Sequence, residues 1–269
     1  MTDTTAFAID FRHVAKRFQR DTAHPAITDL DFRIAPGEHV CVVGRTGCGK
    51  STSVNLILGL MAPSSGSVKI LGVDPHREFP RLRGRIGCVF QSDRLLPWRT
   101  VLDNVLVPIE IQRQRRPDTE RAARRLLAGV GLAGHEGDLP HQLSGGMRQR
   151  VALARALITR PSIMIADEAF GHLDEVTAAA LRTDFQRLAR EQGQTVFQIT
   201  HSLDEALEVA DRILVFGRPG RVVGAFQRDE WSSTAMRDGV RGRLRALISG
   251  SDAALAPPRS TRRPVPRAA

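Results

Sequence analysis

Val40-Cys41-Val42-Val43-Gly44-Arg45-Thr46-Gly47-Cys48-Gly49-Lys50-Ser51 decides how this chain folds. Four apolar residues in a row read as a strand buried on both faces, the habit of a parallel sheet. The next eight match G-x-x-x-x-G-K-[ST], a loop whose glycines let successive backbone N–H groups converge on phosphate oxygens. A helix opening at Ser51 and running to about Leu58 adds the partial positive charge of its N-terminus. By average residue frequencies, such a match arises by chance in roughly one per cent of chains this long. The loop therefore predicts a nucleoside triphosphate held by Gly44, Arg45, Thr46, Gly47, Cys48, Gly49, Lys50, Ser51 and Thr52. Lys50 would reach the β- and γ-phosphates, and the Ser51 hydroxyl would ligate Mg²⁺. Cys48 reads as a passive spacer; the competing idea is that oxidising or alkylating it blocks nucleotide binding sterically.

Working outward, Pro36-Gly37 turns the chain into this strand, and Phe7/Ile9/Phe11 and Leu30/Phe32/Ile34 alternate as half-buried strands do. Short apolar runs recur at 86–90, 163–166, 195–199 and 213–216. Between them lie helical patterns: Leu181, Phe185 and Leu188 at i, i+4, i+7, and the apolar stretch 151–158. Strands alternating with helices predict an α/β sheet. From Ser92 to Arg160 the pattern is mostly helical, with Asp118 as an expected N-cap and Gly129 or Gly131 near a helix end, which reads as an inserted subdomain.

Two further motifs carry chemistry. Ser162-Ile163-Met164-Ile165-Ala166-Asp167-Glu168 is an apolar strand ending in two carboxylates. At such a strand end Asp167 can hold Mg²⁺, and Glu168 can polarise an attacking water as general base. Upstream, Leu143-Ser144-Gly145-Gly146-Met147-Arg148-Gln149-Arg150 offers a serine N-cap and bare backbone N–H groups to an anion.

That string, continued as VALARAL, resembles the signature of the ABC transporter ATPases, and the resemblance runs from about Phe7 to Phe226. It implies an α/β fold: a P-loop NTPase core sheet of the RecA type, an antiparallel β subdomain and an inserted helical subdomain (about 92–160) carrying the signature. Residues 227–251 are left as a C-terminal extension, and the Pro, Arg, Ala and Ser of 252–269, without periodicity, predict a disordered basic tail. It also implies a head-to-tail dimer in which Ser144, Gly145, Gly146 and Gln149 act on the partner's ATP. By the same resemblance Gln91 contacts Mg²⁺ and senses a membrane subunit, and His201 is the switch histidine acting with Glu168. Asp174 is then the D-loop aspartate, and Phe18 stacks on adenine. Two positions depart from the family's habit: Ala169 stands where proline is common, and His172 where a small residue is common.

Residues 92–105, SDRLLPWRTVLDNV, and 167–177, DEAFGHLDEVT, are similar to the nitrate, sulfonate and taurine importer branch. That branch implies permease partners in the inner membrane and, indirectly, a periplasmic solute-binding protein. The chain would then sit at the membrane's cytoplasmic face.

Composition fits and excludes. Apolar residues make up 42% and charged residues 25%, ordinary for a globular chain. No stretch approaches the roughly 18 apolar residues of a membrane span, and MTDTTAFAID has no signal-peptide pattern. The three cysteines have no metal-ligand spacing. The net charge of +10 raises nucleic acid as a rival partner, but eight arginines against two aspartates after Trp231 put most of the surplus in the C-terminal stretch. No specific nucleic acid is expected. An exporter or a lipid-moving member of the family would differ only in its membrane partner. A small-molecule kinase could use the same phosphate loop, but the signature and the acidic pair argue against it.

Overall fold

In the computed structural model, which describes residues 7–18, 25–114, 116–171 and 173–250, one mixed sheet organises the chain. Its strands are β1 (Ile9–Lys16), β2 (Ile27–Ile34), β3 (His39–Gly44), β4 (Ser65–Ile70), β5 (Ile86–Phe90), β6 (Ile163–Asp167), β7 (Thr195–Ile199), β8 (Arg212–Gly217) and β9 (Gly220–Gln227), in the order β4-β1-β2-β9-β8-β3-β7-β6-β5. Every residue of β3 is buried, as its unbroken apolar run requires. It pairs in parallel with β7 on one side and β8 on the other, and β6 and β5 continue the parallel set. These four runs lie where the sequence places them. His172 and the expected basic tail beyond Asp252 lie outside the described residues.

β1 is flanked by β2 and β4, both antiparallel to it, which gives the expected antiparallel subdomain. This part folds back over the parallel strands: the Phe32 ring stacks on Phe11 at 4.6 Å and also lies 6.1 Å from Phe197 and 5.9 Å from Phe216. Helix α1 (Lys50–Ile57) adds Val54, Leu56 and Ile57 to the same core. Each fully buried aromatic or aliphatic side chain there contributes about 1.5–3 kcal/mol.

The helical segment comprises α2 (Val101–Ile111), α3 (Thr119–Gly129) and α4 (Gly145–Leu157). Its apolar faces share one cluster with α5 (Glu175–Glu191), through Val105, Leu127, Val151, Leu153, Leu181 and Phe185. Thr100 caps α2 by accepting from the Asp103 N–H. Asp118 stands before α3, but its side chain makes no cap bond because the backbone there is already helical.

The C-terminal extension is more ordered than its sequence announces. After β9 come a 3₁₀ turn (Arg228–Trp231) and α7 (Thr234–Ser249). Val240 and Leu244 bury against Phe226, Trp231 and helix α6 (Leu203–Val209). Three donors close the end of α6. Arg228 Nη1 donates to the carbonyls of Leu207, Glu208 and Ala210, and both Trp231 Nε1 and Arg237 Nη2 donate to Leu207. Cationic donors at a helix C-terminus satisfy orphan carbonyls and complement its dipole. Among the described residues no helix is long and apolar enough to cross a membrane.

Candidate functional site

The candidate groups converge because each follows the C-terminal end of a parallel strand. Gly44 ends β3, Gln91 follows β5, Asp167 ends β6, and His201 lies just past β7. The ladders pair Phe90 with Asp167 and Asp167 with Ile199, so strand register alone brings these ends level.

At Gly44 the backbone leaves no room for a side chain: a Cβ there would lie 2.4 Å from the Phe216 carbonyl oxygen and 2.8 Å from Cys48 Sγ. Gly49 has φ 92° and starts α1 without a side-chain cap, leaving the helix N–H groups to a ligand. Lys50 is buried, and its Nζ donates to Gly44 O at 2.7 Å and Arg45 O at 3.3 Å. Arg45, Thr46, Gly47 and Ser51 are exposed, while Thr52 is half-buried. Cys48 is only 1% exposed, and burial raises its thiol pKa, so it behaves as a packed spacer rather than a ready nucleophile.

On the acidic side, His201 Nε2 lies 2.5 Å from Glu168 Oε1. Glu168 adopts φ 50°, a left-handed conformation costing a non-glycine residue about 1–2 kcal/mol. Two backbone bonds hold it there: its N–H donates to Ile199 O, and its carbonyl accepts from Gly171. Burial, and then the neighbouring Glu168 charge, push the Asp167 carboxyl above its ordinary pKa, while Lys50 pulls it down. A cavity of about 420 Å³ opens beside this pair, lined by Gln91, Glu168, His201, Glu205 and Arg182 among others.

Ser144 caps α4 by accepting from the Met147 N–H at 3.2 Å, and with Gly145 it stands exposed at the helix tip. Gly146 faces inward, where a Cβ would come within 2.5 Å of Thr177 Cγ2 on α5. Asp174 caps α5 by accepting from the Thr177 N–H; hydrogen bonding from the Thr177 side chain, and then that backbone bond, hold its carboxyl below the ordinary pKa. Helix α4 also grips the segment after Gln91, with Arg148 Nε bonding Asp93 Oδ2 and Arg155 donating to the carbonyls of Asp93 and Arg94.

A family model described as ABC transporter matches residues 27–171. The chain belongs to the ABC transporter family. The cassette is 42% identical over 220 residues to the aliphatic sulfonates import ATP-binding protein of Rhodococcus jostii, covering 82% of this chain and 83% of that one. It is 40% identical to the taurine import ATP-binding protein of Rhizobium johnstonii, covering 80% of each. Among solved structures it resembles a dimeric ATP-binding cassette in a post-hydrolysis state bound to ADP and Pi, with a TM-score of 0.73 and 31% identity over 82% of this chain and 98% of that one.

One candidate residue of this ABC cassette is engaged within its own chain. Gln149, expected to act on a partner's nucleotide, is 4% exposed and donates through Nε2 to Phe90 O and Ala169 O of its own chain, both at 2.8 Å. The inner face of α4 turns it away from the tip, so it ties the signature helix to the strand ends carrying Gln91 and Glu168. Phe18 is 43% exposed with Lys16 Nζ 5.6 Å from its ring centre, an accessible aromatic face.

Motif reading missed Arg218. Its guanidinium lies beside Gly47, 3.8 Å from where a Cβ would be, and it forms no ion pair among the described residues. The Gly-Arg-Pro-Gly turn between β8 and β9 signals a hairpin but gives no hint that it packs on the phosphate loop.

Proposed function

We propose that this chain is the ATP-binding and ATP-hydrolysing subunit that powers solute import, with a cargo in the class of nitrate, sulfonate, taurine or a related small anion. The observation that carries the hydrolytic reading is the 2.5 Å approach of His201 Nε2 to Glu168 Oε1 beside the glycine-lined loop. The names of the sulfonate and taurine relatives support the cargo class. Residues 7–226 form the catalytic cassette in this reading, and 227–251 an extension packed on α6.

ATP enters with its phosphates against the N–H groups of Gly47 to Thr52, and its adenine on Phe18. Lys50 exchanges the Gly44 and Arg45 carbonyls for phosphate oxygens, a trade of neutral acceptors for charged ones. Ser51, Asp167 and Gln91 present hard oxygen donors, the set that suits Mg²⁺. When bound, that ion neutralises charge between the β- and γ-phosphates. Glu168 takes the proton of the attacking water, and His201 holds that carboxylate and the γ-phosphate in line.

Ser144 and the two glycines after it meet the γ-phosphate of a second copy's nucleotide, a reading supported by the exposed Ser144 and Gly145 at the helix tip and by the dimeric relative. A permease docks against the Gln91 segment, and closing the nucleotide sandwich moves it. The cassette works at the cytoplasmic face of the inner membrane, and a periplasmic solute-binding protein delivers the cargo.

Glu168→Gln tests the assignment. With Mg-ATP the variant should double its mass in light scattering while turnover falls about 10²–10⁴-fold, the range for losing a general base. Brisk turnover, or a single-copy mass with the permease supplied, refutes it. Affinity capture from native membranes should bring down the permease.

A further inference from the structure

Glu205 belongs to none of the motifs, yet it grips the loop that carries His201. It sits in the first turn of α6 and is 8% exposed. Its Oε2 accepts from Thr200 Oγ1 at 2.5 Å, and its Oε1 accepts from Gln198 Nε2 at 2.6 Å. Its backbone N–H donates to Ser202 Oγ at 3.2 Å, and the Ser202 N–H donates to Thr200 Oγ1 at 3.0 Å. Residues on both sides of His201 are thus tied to one carboxylate and its helix turn, while the ring itself remains half exposed.

The network extends beyond the loop. Gln198 Oε1 meets His39 Nε2 at 2.9 Å inside the sheet. From the other side Arg182 of α5, largely buried, directs positive charge at Glu205 while its Nη2 bonds Glu175 at 2.9 Å. Glu205, Thr200, His201 and Glu168 line one cavity. Burying a carboxylate is costly unless it is hydrogen-bonded. Both of this carboxylate's side-chain bonds go to Thr200 or to the strand leading into it.

We infer that Glu205 is a positioning residue for the hydrolytic step, holding His201 against Glu168 by anchoring Thr200 and Ser202. The inference rests on the ATPase reading above. It differs from a packing role in what it predicts for nucleotide binding and for His201 itself. The phosphate loop, which is on another strand, should not notice the loss of Glu205.

The test combines Glu205→Ala, Glu205→Gln and His201→Ala in the full chain with its permease. Glu205→Ala should lower kcat about tenfold or more with KM for ATP within about twofold, and Glu205→Gln should restore most of the rate. In the His201→Ala background, Glu205→Ala should cost less than about twofold, since nothing remains to be positioned. The ring-proton NMR resonance of His201, assigned by its loss in His201→Ala, should shift and broaden in Glu205→Ala. If Glu205→Ala does not fold, Thr200→Val takes its place in the cycle. Losses that multiply with those of His201→Ala, a KM change matching the kcat change, or an unmoved resonance overturn the inference while leaving the ATPase reading intact. Full activity of His201→Ala overturns both.

Discussion

Gln149→Met separates two jobs that the signature helix could give this position. Methionine nearly conserves volume, so the change removes hydrogen bonds rather than opening a cavity. The lost donor serves two carbonyls, Phe90 O and Ala169 O, at 2.8 Å each in a site 4% exposed. A net loss of about 0.5–1.5 kcal/mol per bond, plus the desolvation of buried acceptors left unpaired, gives about 2–4 kcal/mol. For a chain of this size about 3 kcal/mol corresponds to a fall in Tm of about 6–12 °C. Urea unfolding followed by circular dichroism should show a lower midpoint at unchanged slope. A loss under about 1 kcal/mol, with ATP-driven dimerisation weakened, would mean that Gln149 reaches across to a partner, and the reasoning from its buried contacts would be wrong.

Three further outcomes are expected. Lys50→Ala removes a charge-assisted phosphate contact worth about 1.5–3 kcal/mol, so ATP affinity should drop about 10–100-fold or more in calorimetry, and an unchanged Kd contradicts its role. Burial lowers the His39 pKa to about 4, below the ordinary value of 6.5. The unfolded chain therefore binds the extra proton in that window, and stability should fall as pH drops from 6.5 to 4, by at most about 3 kcal/mol. His39→Gln should flatten that slope in acid titrations of unfolding, and an unaltered slope refutes the assignment. Native Cys48, packed and with its thiol pKa raised, should react with iodoacetamide at least about tenfold more slowly than free cysteine. Rapid labelling of the folded protein would show that the loop opens.

The parallel core was legible because its strands are period-free apolar runs, and 40–43, 163–166 and 195–199 admit little else once a phosphate loop follows the first. Asp167, Glu168 and His201 were legible as motif members, and strand register then brought them together. The intrachain contacts of Gln149 were not legible, because motif membership does not say which way a side chain points. Its position three after the inward-facing Gly146 carries that information as helical periodicity. Val240, Leu244 and Leu247 in α7 have core spacing too, but Gly239, Gly242 and the arginines dilute it. Glu205 and Arg218 were out of reach for a different reason. Their partners lie on other elements, and only the folded sheet makes them neighbours.

The closure of α6 by Arg228, Trp231 and Arg237 decides where this polypeptide can be shortened. Cutting after Phe226, where the last strand is all but complete, would hand the carbonyls of Leu207, Glu208 and Ala210 to water. It would also bare a greasy strip now roofed by Val240 and Leu244. A protein trimmed that way invites clumping and protease attack beside its own histidine loop, whereas one trimmed after Gly250 keeps its roof.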